Sequence, residues 1–536
     1  MMLKQTIYEL LTEMGEDENE NQILQFPDED KSFTAKKLLE CVNAAARGLL
    51  ASGLKHGDRF AVCISNRSEW AILAVAASAT GTIMVPINTS VRQNNLRYFL
   101  DKAGVKLIFY SWTYKHAKHQ KLFSDLFSKN DNLNKVKSIV LDGNESDISE
   151  SETLWKDFID QDIHKLVNYE KNVDACWLVQ FTSGTTGTPK GVKISQSSAL
   201  NVAMAYCKAT ELDSHDTVLQ VLPYFHCIGS VMGFLPTFIR PSKSIITSSF
   251  IPEQALQFLE KYHCTVMLGV PAIYLAMMRS TNFNSYSTSS LRVLGIGGAG
   301  CPSNYFDLIS KSFPSSTVMC AYGLTEVSSM ILAPKLTDSY ETRKNSVGRP
   351  IDGVQVKIAG DQLSGELLVK GFCVTEGYWE NPQKTNKLID TAGWLHTGDV
   401  ASKERDNCYK IIGRNDDMIE KGGEKISPRE IENALEKILT DRSVCVAGVE
   451  DDKYGEEIIA FIESRSGTEV QELVRDCSAI KNQLSQQIMS FEIPKFIAFI
   501  PSFPRSSSGK VKRNSLKELY INHKLIIEPL RDKLTM

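Results

Sequence analysis

Several features that would point to a function early are missing from this sequence. Its twelve cysteines run from Cys41 to Cys477 without one C-x-x-C pair or short metal-ligand spacing. They read as reduced, mostly buried thiols of a cytosolic protein rather than a disulfide framework or a zinc motif. An excess of one charge is also missing. Sixty basic and 64 acidic residues leave a net charge of −4, which gives no support to a nucleic-acid surface or a polybasic membrane anchor. The first residues, "MMLKQTIYELLTEMGEDENEN", carry acids and lack the apolar core of a signal peptide. One uncharged stretch, 70–91, is long enough to raise the question of a membrane span. Thr80-Gly81-Thr82 and Pro86 interrupt it, so we expect a buried helix turning into a buried strand and no span. No internal repeat is visible.

What is present is the composition of an ordinary soluble globular protein, 42% hydrophobic and 23% charged over 536 residues, enough for more than one domain. From about residue 30 to 350, short β-branched runs (60–65, 83–87, 106–110, 265–270, 292–297) alternate with amphipathic segments such as 34–54. That alternation predicts an α/β architecture of largely parallel sheets. The acidic 15–21 reads as a solvated loop. Near residue 413 the sequence becomes dense in charge and glycine. Ser427, Pro428 and Glu430 then give an N-cap, a first-turn proline and a capping box for a helix. Strands at 444–450, 458–463 and 495–500 around a helix near 469–489 complete a small α+β unit. We therefore expect two domains, 1–413 and 414–536, meeting at a polar hinge.

"FTSGTTGTPKGV", 181–192, is the most distinctive segment. A Walker loop needs a hydroxyl after its lysine to hold magnesium, but here Pro189 precedes Lys190 and Gly191 follows it, so that reading fails. A polar surface turn is the bland alternative. Against it, an apolar strand (176–181) leads in and a strand pattern (191–195) leads out. Hydroxyls and backbone N–H groups around a lysine suit an oligophosphate.

This segment resembles the signature of the AMP-forming adenylate-forming superfamily: acyl- and aryl-CoA synthetases, beetle luciferases and nonribosomal-peptide adenylation domains. Four further segments resemble the family's motifs in the family's order: "AYGLTE" (321–326), "GWLHTGD" (393–399), "GRNDDMIEKGGEKISPREIE" (413–432) and "PRSSSGKVKR" (504–513). The resemblance covers roughly 30–515 and is strongest to acyl-CoA synthetases. It implies a large N-terminal domain of doubly wound sheets with a β-barrel-like subdomain, and a small mobile C-terminal domain. It also implies two half-reactions: a carboxylate attacks the α-phosphate of ATP to give acyl-AMP and pyrophosphate, and the thiol of coenzyme A then displaces AMP.

By the same resemblance, Thr182, Ser183, Gly184, Thr185, Thr186 and Lys190 grip the β- and γ-phosphates. Tyr322 stacks on adenine, Thr325 touches the α-phosphate and Glu326 ligates Mg²⁺, a hard cation suited to carboxylate oxygen. Gly300, Cys301 and Pro302 belong to the adenine pocket, although a tight strand-to-helix turn explains them equally well. Asp399 takes the ribose hydroxyls, supported by Arg414. Asp416 is the hinge. Lys510 bridges the carboxylate and the α-phosphate, although by composition its segment is only a polar, basic loop. Gly422 and Gly423 leave room for the pantetheine thread, with Lys425 near phosphate. His226, in "LPYFHCIGSVMGF" (222–234), is either an aromatic-type gate beside the acid or a packed core histidine.

No charge is placed for an α-amino group, so a fatty or aromatic acid is expected rather than an amino acid. The expected protein is a cytoplasmic carboxylate–CoA ligase, monomer or homodimer, using ATP, Mg²⁺ and CoA. The alternative is a stand-alone adenylating enzyme that loads the phosphopantetheine of an acyl carrier protein. A luciferase or a catalytically silent nucleotide sensor fits less of the pattern.

Overall fold

The computed structural model describes residues 2–17, 21–114, 117–118, 122–123, 126, 133–143, 148–149, 152–160, 169–182, 189–361, 363–439, 442–464, 477–505, 511–522 and 525–530. Two seven-stranded sheets dominate it. One has the order Thr317–Cys320, Val293–Ile296, Val266–Gly269, Thr217–Gln220, Lys243–Ile246, Gln22–Phe26 and Lys31–Thr34. All its neighbours are parallel except the last pair. The other has the order Lys190–Ser195, Cys176–Thr182, Ile83–Pro86, Arg59–Cys63, Val105–Tyr110, Lys137–Val140 and Glu152–Leu154, antiparallel only at its first pair. Five of these strands, Arg59–Cys63, Ile83–Pro86, Val105–Tyr110, Val266–Gly269 and Val293–Ile296, are the predicted buried β-branched runs, shifted by a residue or two at their ends. Parallel strands covered on both faces need such continuous apolar segments.

The uncharged stretch resolves as expected. Helix Ser68–Thr80 is buried at every residue, Gly81 ends it in the left-handed region at φ 66°, and Ile83–Pro86 follows as a buried strand. Among the described residues no helix is long and apolar enough to cross a membrane. The amphipathic 34–54 forms helix Ala35–Ala51, capped by the Thr34 hydroxyl, which accepts from the Lys37 N–H at 3.2 Å. Gly48 in that helix is required by packing, because a Cβ there would lie 2.5 Å from the Phe158 carbonyl oxygen. The acidic 15–21 differs from its reading as loop: Gly15 and Glu16 complete helix Ile7–Glu16, whose apolar face is buried and whose start is a Thr6–Glu9 capping box. None of the twelve cysteines is in a disulfide.

Beyond the parallel sheets, Val354–Ile358, Ser364–Gly371, Leu395–Lys403 and Tyr409–Arg414 form a four-stranded antiparallel sheet where the barrel-like subdomain is expected. The chain then builds a separate six-stranded sheet from Ile419–Lys421, Glu424–Ile426, Val444–Asp451, Gly455–Glu463, Phe496–Ile500 and Ile526–Pro529. Helix Pro428–Ile438 packs on it through Ile431, Ala434 and Leu435. Of the helix expected near 469–489, residues 477–484 are helical and 465–476 lie outside the described residues. Ser427 is the N-cap of Pro428–Ile438, but the predicted capping box does not form. Its hydroxyl donates instead to the Ile412 carbonyl at 2.9 Å, tying the helix start to the preceding antiparallel strand.

Glu436 on this helix is 5% exposed, and its Oε2 has no hydrogen-bond partner among the described residues. Arg429 Nη1 stands 3.8 Å from its other oxygen, and Tyr305 of helix Ser303–Ser312 lies within its field. Burial pushes the carboxyl from its ordinary 4.5 up to about 7, with Glu432 adding repulsion and Arg429 opposing. The folded state therefore holds a proton that the unfolded chain releases near 4.5, and stability falls as pH rises from there to about 7. Glu436→Gln should leave thermal stability at about pH 5 unchanged and raise it at about pH 8, by at most about 3 kcal/mol. Parallel stability–pH curves for the two proteins would contradict the assignment.

Candidate functional site

In the first sheet, Thr217–Gln220, Val293–Ile296 and Thr317–Cys320 run parallel, so the segments leaving their carboxyl ends emerge together. Those segments are 221–234, 297–302 and 321–326, three of the sequence-predicted site segments. Strand order reverses between Thr217–Gln220 and Val266–Gly269, because the chain goes to Lys243–Ile246 on one side before continuing on the other. A crevice outside the carboxyl ends at such a reversal is where open α/β sheets bind ligands. The second sheet contributes its own carboxyl end. Cys176–Thr182 pairs antiparallel with Lys190–Ser195, in register Thr182↔Lys190 at that end. Ser183, Gly184, Thr185 and Thr186 between these strands lie outside the described residues, as does Lys510.

Lys190 and Glu326 meet across one ring. Lys190 Nζ stands 5.0 Å from the centroid of Tyr378, whose hydroxyl donates to Glu326 Oε1 at 2.9 Å. Burial, then the Glu326 charge, raises the Tyr378 phenol well above its ordinary value, so it stays a donor. Glu326 lies in the single turn Thr325–Val327, and its Oε2 makes no hydrogen bond among the described residues. A hard cation takes such a carboxylate oxygen, so Glu326 fits the metal-ligating part expected of it. The Thr325 hydroxyl is 3.4 Å from Cys227 Sγ, which joins this turn to the His226 segment.

Tyr322 and Asp399 form the second cluster. The Tyr322 hydroxyl donates to Asp399 Oδ2 at 2.5 Å, and Arg414 Nε forms an ion pair with Oδ1 at 3.0 Å. Asp399 is 6% exposed and sits opposite Arg414 in the antiparallel sheet. Burial and the Asp399 charge raise the Tyr322 phenol. A carboxylate has about four acceptor positions, so both oxygens retain capacity for further donors. Beside them Gly300 faces open space, with nothing within 4 Å of where a Cβ would be. Pro302 caps helix Ser303–Ser312, and Cys301 Sγ turns inward, 3.6 Å from the Pro302 carbonyl and against Cys320.

The His226 segment is held firmly. Gln180 Nε2 donates to the Phe225 carbonyl at 2.6 Å, and Asn66 bonds the Leu222 carbonyl and the Tyr224 N–H at 2.9 and 2.8 Å. His226 is half-buried against Phe225, with ring centroids 5.0 Å apart. Residues Ile228–Phe234 form a π-helical turn, a geometry often found at functional sites.

The remaining predicted residues follow the last strand of the antiparallel sheet. Asp416 is exposed in the turn Asn415–Asp417, next to Arg414. Gly422 and Gly423, at φ 61° and 90°, form the two-residue turn of the hairpin Ile419–Lys421/Glu424–Ile426. Both central positions of such a turn require positive φ, which explains both glycines locally. A Cβ at Gly423 would have nothing within 4 Å, so the hairpin tip stands open. Lys425 lies on this hairpin; its side chain is outside the described part.

Tyr378 is the residue that motif reading missed. It arrives from a distant segment: Val192 bridges Tyr378, and the Trp379 N–H donates to the Gly191 carbonyl at 2.6 Å. The available signal was the aromatic pair in "GYWENP", 377–382, directly after a glycine.

The chain matches the family model described as AMP-binding enzyme over residues 13–379, and that described as AMP-binding enzyme C-terminal domain over 430–510. It is 30% identical over 526 residues to the human medium-chain acyl-CoA ligase ACSF2, mitochondrial, covering 92% of this chain and 84% of that protein. ATP-bound MatB from Rhodopseudomonas palustris superposes with a TM-score of 0.83 at 23% identity, over 96% of this chain and 99% of that one. The o-succinylbenzoate CoA synthetase MenE from Bacillus subtilis, in complex with the acyl-adenylate OSB-AMP, gives 0.80 at 22%, over 96% and 98%. At that identity the two structures establish a common fold.

Gly323 tests the geometry directly. The bridge between Tyr322 and Leu332 folds "AYGLTE" back on itself, so that a Cβ at Gly323 would lie 1.8 Å from the Ser329 carbonyl oxygen and 2.7 Å from Met330 Cα. Both obstacles are backbone. Gly323→Ala should displace Tyr322 and Thr325 together and lower acid-dependent ATP–pyrophosphate exchange about a hundredfold, as misplacement by about 1 Å can. Exchange at the wild-type rate would show that this turn does not position the reacting groups.

Proposed function

The chain belongs to the AMP-binding, adenylate-forming enzymes, and we propose on that premise that it is an ATP-dependent carboxylate–CoA ligase acting on a fatty or aromatic acid. In the first half-reaction the carboxylate oxygen bonds to the α-phosphorus while the bond to the β-phosphate oxygen breaks, and pyrophosphate leaves. In the second, the CoA sulfur bonds to the acyl carbon, AMP leaves with the carbon–oxygen electron pair, and the thiol proton passes to solvent or a base. Two anions must meet in the first step, so fixed positive charge and donors are its main requirement.

The observation that carries this reading is the pairing of Lys190 and Glu326 through Tyr378 at the base of the glycine-rich hairpin. Lys190 and Thr182, with Ser183 to Thr186, hold the β- and γ-phosphates. Glu326 holds Mg²⁺, which when bound offsets phosphate charge. Tyr322 faces the adenine, with Gly300 giving clearance and Cys301 and Pro302 contributing backbone. Asp399, oriented by Arg414, takes the ribose, and Thr325 approaches the α-phosphate. His226 stands at the acid. Lys510 brings positive charge to the reacting carboxylate and α-phosphate.

We read 1–413 and 414–536 as two domains that pivot at Asp416. Sheet membership supports this: Tyr409–Arg414 closes the antiparallel sheet, and every later strand belongs to the six-stranded one. Pivoting would bring the Gly422–Gly423 tip and Lys425 to the site for the thiol step. Twelve cysteines outside any disulfide support a reducing, cytoplasmic compartment.

Pyrophosphate release with acetate, octanoate, palmitate and benzoate, followed by CoA addition, tests the reading. Acid-dependent release and CoA-dependent AMP release are expected; their absence across the panel would end it. Lys510→Ala should abolish exchange while ATP binding stays nearly intact. Gly423→Leu should spare exchange and block thioester formation, and equal loss of both half-reactions there would contradict the role of the hairpin tip.

A further inference from the structure

Arg513 begins helix Arg513–Ile521, three residues after Lys510, and its guanidinium reaches three elements. Nη1 donates to Asp417 Oδ2 at 2.9 Å, on the turn Asn415–Asp417. Nη2 donates to Glu432 Oε1 at 2.5 Å, on helix Pro428–Ile438. Nε donates to the Val446 carbonyl at 3.1 Å, on strand Val444–Asp451. The same Glu432 oxygen accepts the Val446 N–H at 2.9 Å, so Arg513 and Glu432 bracket one residue between them. Burial works against the Arg513 charge, but Glu432 and Asp417 outweigh it and raise the guanidinium above its ordinary value.

The two flanks of segment 506–510 are joined to each other as well. Arg505 and Val511 form an antiparallel bridge, and the Lys512 N–H donates to the Pro504 carbonyl at 2.8 Å. Arg513 therefore connects these joined flanks to the turn that carries Asp416.

The halves of this clamp differ. Glu432 is 2% exposed and its pair with Arg513 belongs to the interior of the small unit. The Asp417 side chain is 28% exposed, and a pair so open adds little to stability. What the Asp417 bond does provide is a fixed direction between the turn and the helix that follows Lys510, since a planar guanidinium held at two ends cannot reorient.

We propose that Arg513 is a positioning residue for the adenylation step: through Asp417 it locks the base of the lysine-bearing segment to the pivot turn, so that rotation at Asp416 determines where Lys510 arrives. This rests on the reading of Lys510 as the cation of that step. The clamp lies wholly after Asp416, so it travels with the small unit. The hairpin Ile419–Lys421/Glu424–Ile426 is anchored independently, by Lys421 to Glu457 at 2.5 Å and to the Phe491 carbonyl at 3.0 Å.

The test uses the full chain with the most active acid of the four-acid panel. Asp417→Asn removes the charge from the half-buried bond, leaving only a weaker neutral acceptor, and keeps the Glu432 pair and Val446 bond in place. Its exchange kcat should fall about tenfold, the scale expected for a displaced catalytic group, with KM for ATP and acid unchanged. Its thermal midpoint, and CoA-dependent AMP release from supplied acyl-adenylate, should stay at wild-type values. Asp417→Glu should recover most of the rate, and Arg513→Lys combined with Asp417→Asn should be no slower than Arg513→Lys alone. If Asp417→Asn keeps full exchange while Lys510→Ala loses it, the clamp is not a positioning device. If both half-reactions and the thermal midpoint fall together, its role is structural and the proposal is overturned. If Lys510→Ala itself keeps exchange, the lysine reading fails first.

Discussion

Asp399 holds the two halves of this molecule's chemistry in register. One of its oxygens takes the Tyr322 phenol from the loop at the sheet's carboxyl edge, and the other takes Arg414 from the last strand of the antiparallel sheet. With only 6% exposure, the carboxylate sits in a low-dielectric setting where its two partners matter most. Removing either partner would leave a buried charge incompletely satisfied, which costs more than an ordinary surface hydrogen bond. From Arg414 the chain passes directly into Asn415–Asp417, and Asp417 is held by Arg513. Short polar contacts, joined by the chain between Arg414 and Asp417, thus run from Tyr322 to helix Arg513–Ile521.

The way positive charge is distributed follows from the problem of joining two anions. Charge that stays fixed in one place would hold the products as strongly as the reactants. Here one cation, Lys190, is set on a strand and backed by Tyr378. Arg414 is committed to a carboxylate rather than presented outward. In the proposed reading the remaining contribution is that of Lys510, which belongs to a different structural unit, across a polar turn. A cation delivered by rotation can act on the first step and be withdrawn before the second.

Much of this was legible because the relevant signals are local. A strand followed by glycines and hydroxyls, or Tyr322-Gly323 followed by Thr325-Glu326, is contiguous in sequence, and parallel strands bring such segments to one edge. Helix Ser68–Thr80 was readable for the same reason, since an apolar run of that length without charge has to be buried. What could not be read depends on pairings between distant segments. Tyr378 reaches Glu326 only because 377–379 pairs with Lys190–Ser195, and no spacing encodes that. Ser427 looked like half of a capping box, yet a tertiary acceptor, the Ile412 carbonyl, took its hydroxyl. Arg513 read as one more basic residue after Lys510 until the fold placed Asp417, Glu432 and Val446 around it.

The glycine hairpin illustrates how one local rule can serve two ends. Positive φ at Gly422 and Gly423 is sufficient reason for both residues, so the turn would keep them whether or not a ligand ever passed. A two-residue turn closed by Lys421↔Glu424 is also stiff, and Lys421 is fixed at its other end by a buried pair with Glu457. If, as proposed, the tip fits against a second surface after a rotation, stiffness matters, because every disordered residue there would have to be ordered on docking. The open space around Gly423 is therefore compatible with the close fit that the proposed thiol step would need of a single rigid tip. The same reasoning applies to Arg513: a pivot transmits direction only if what lies beyond it is rigid.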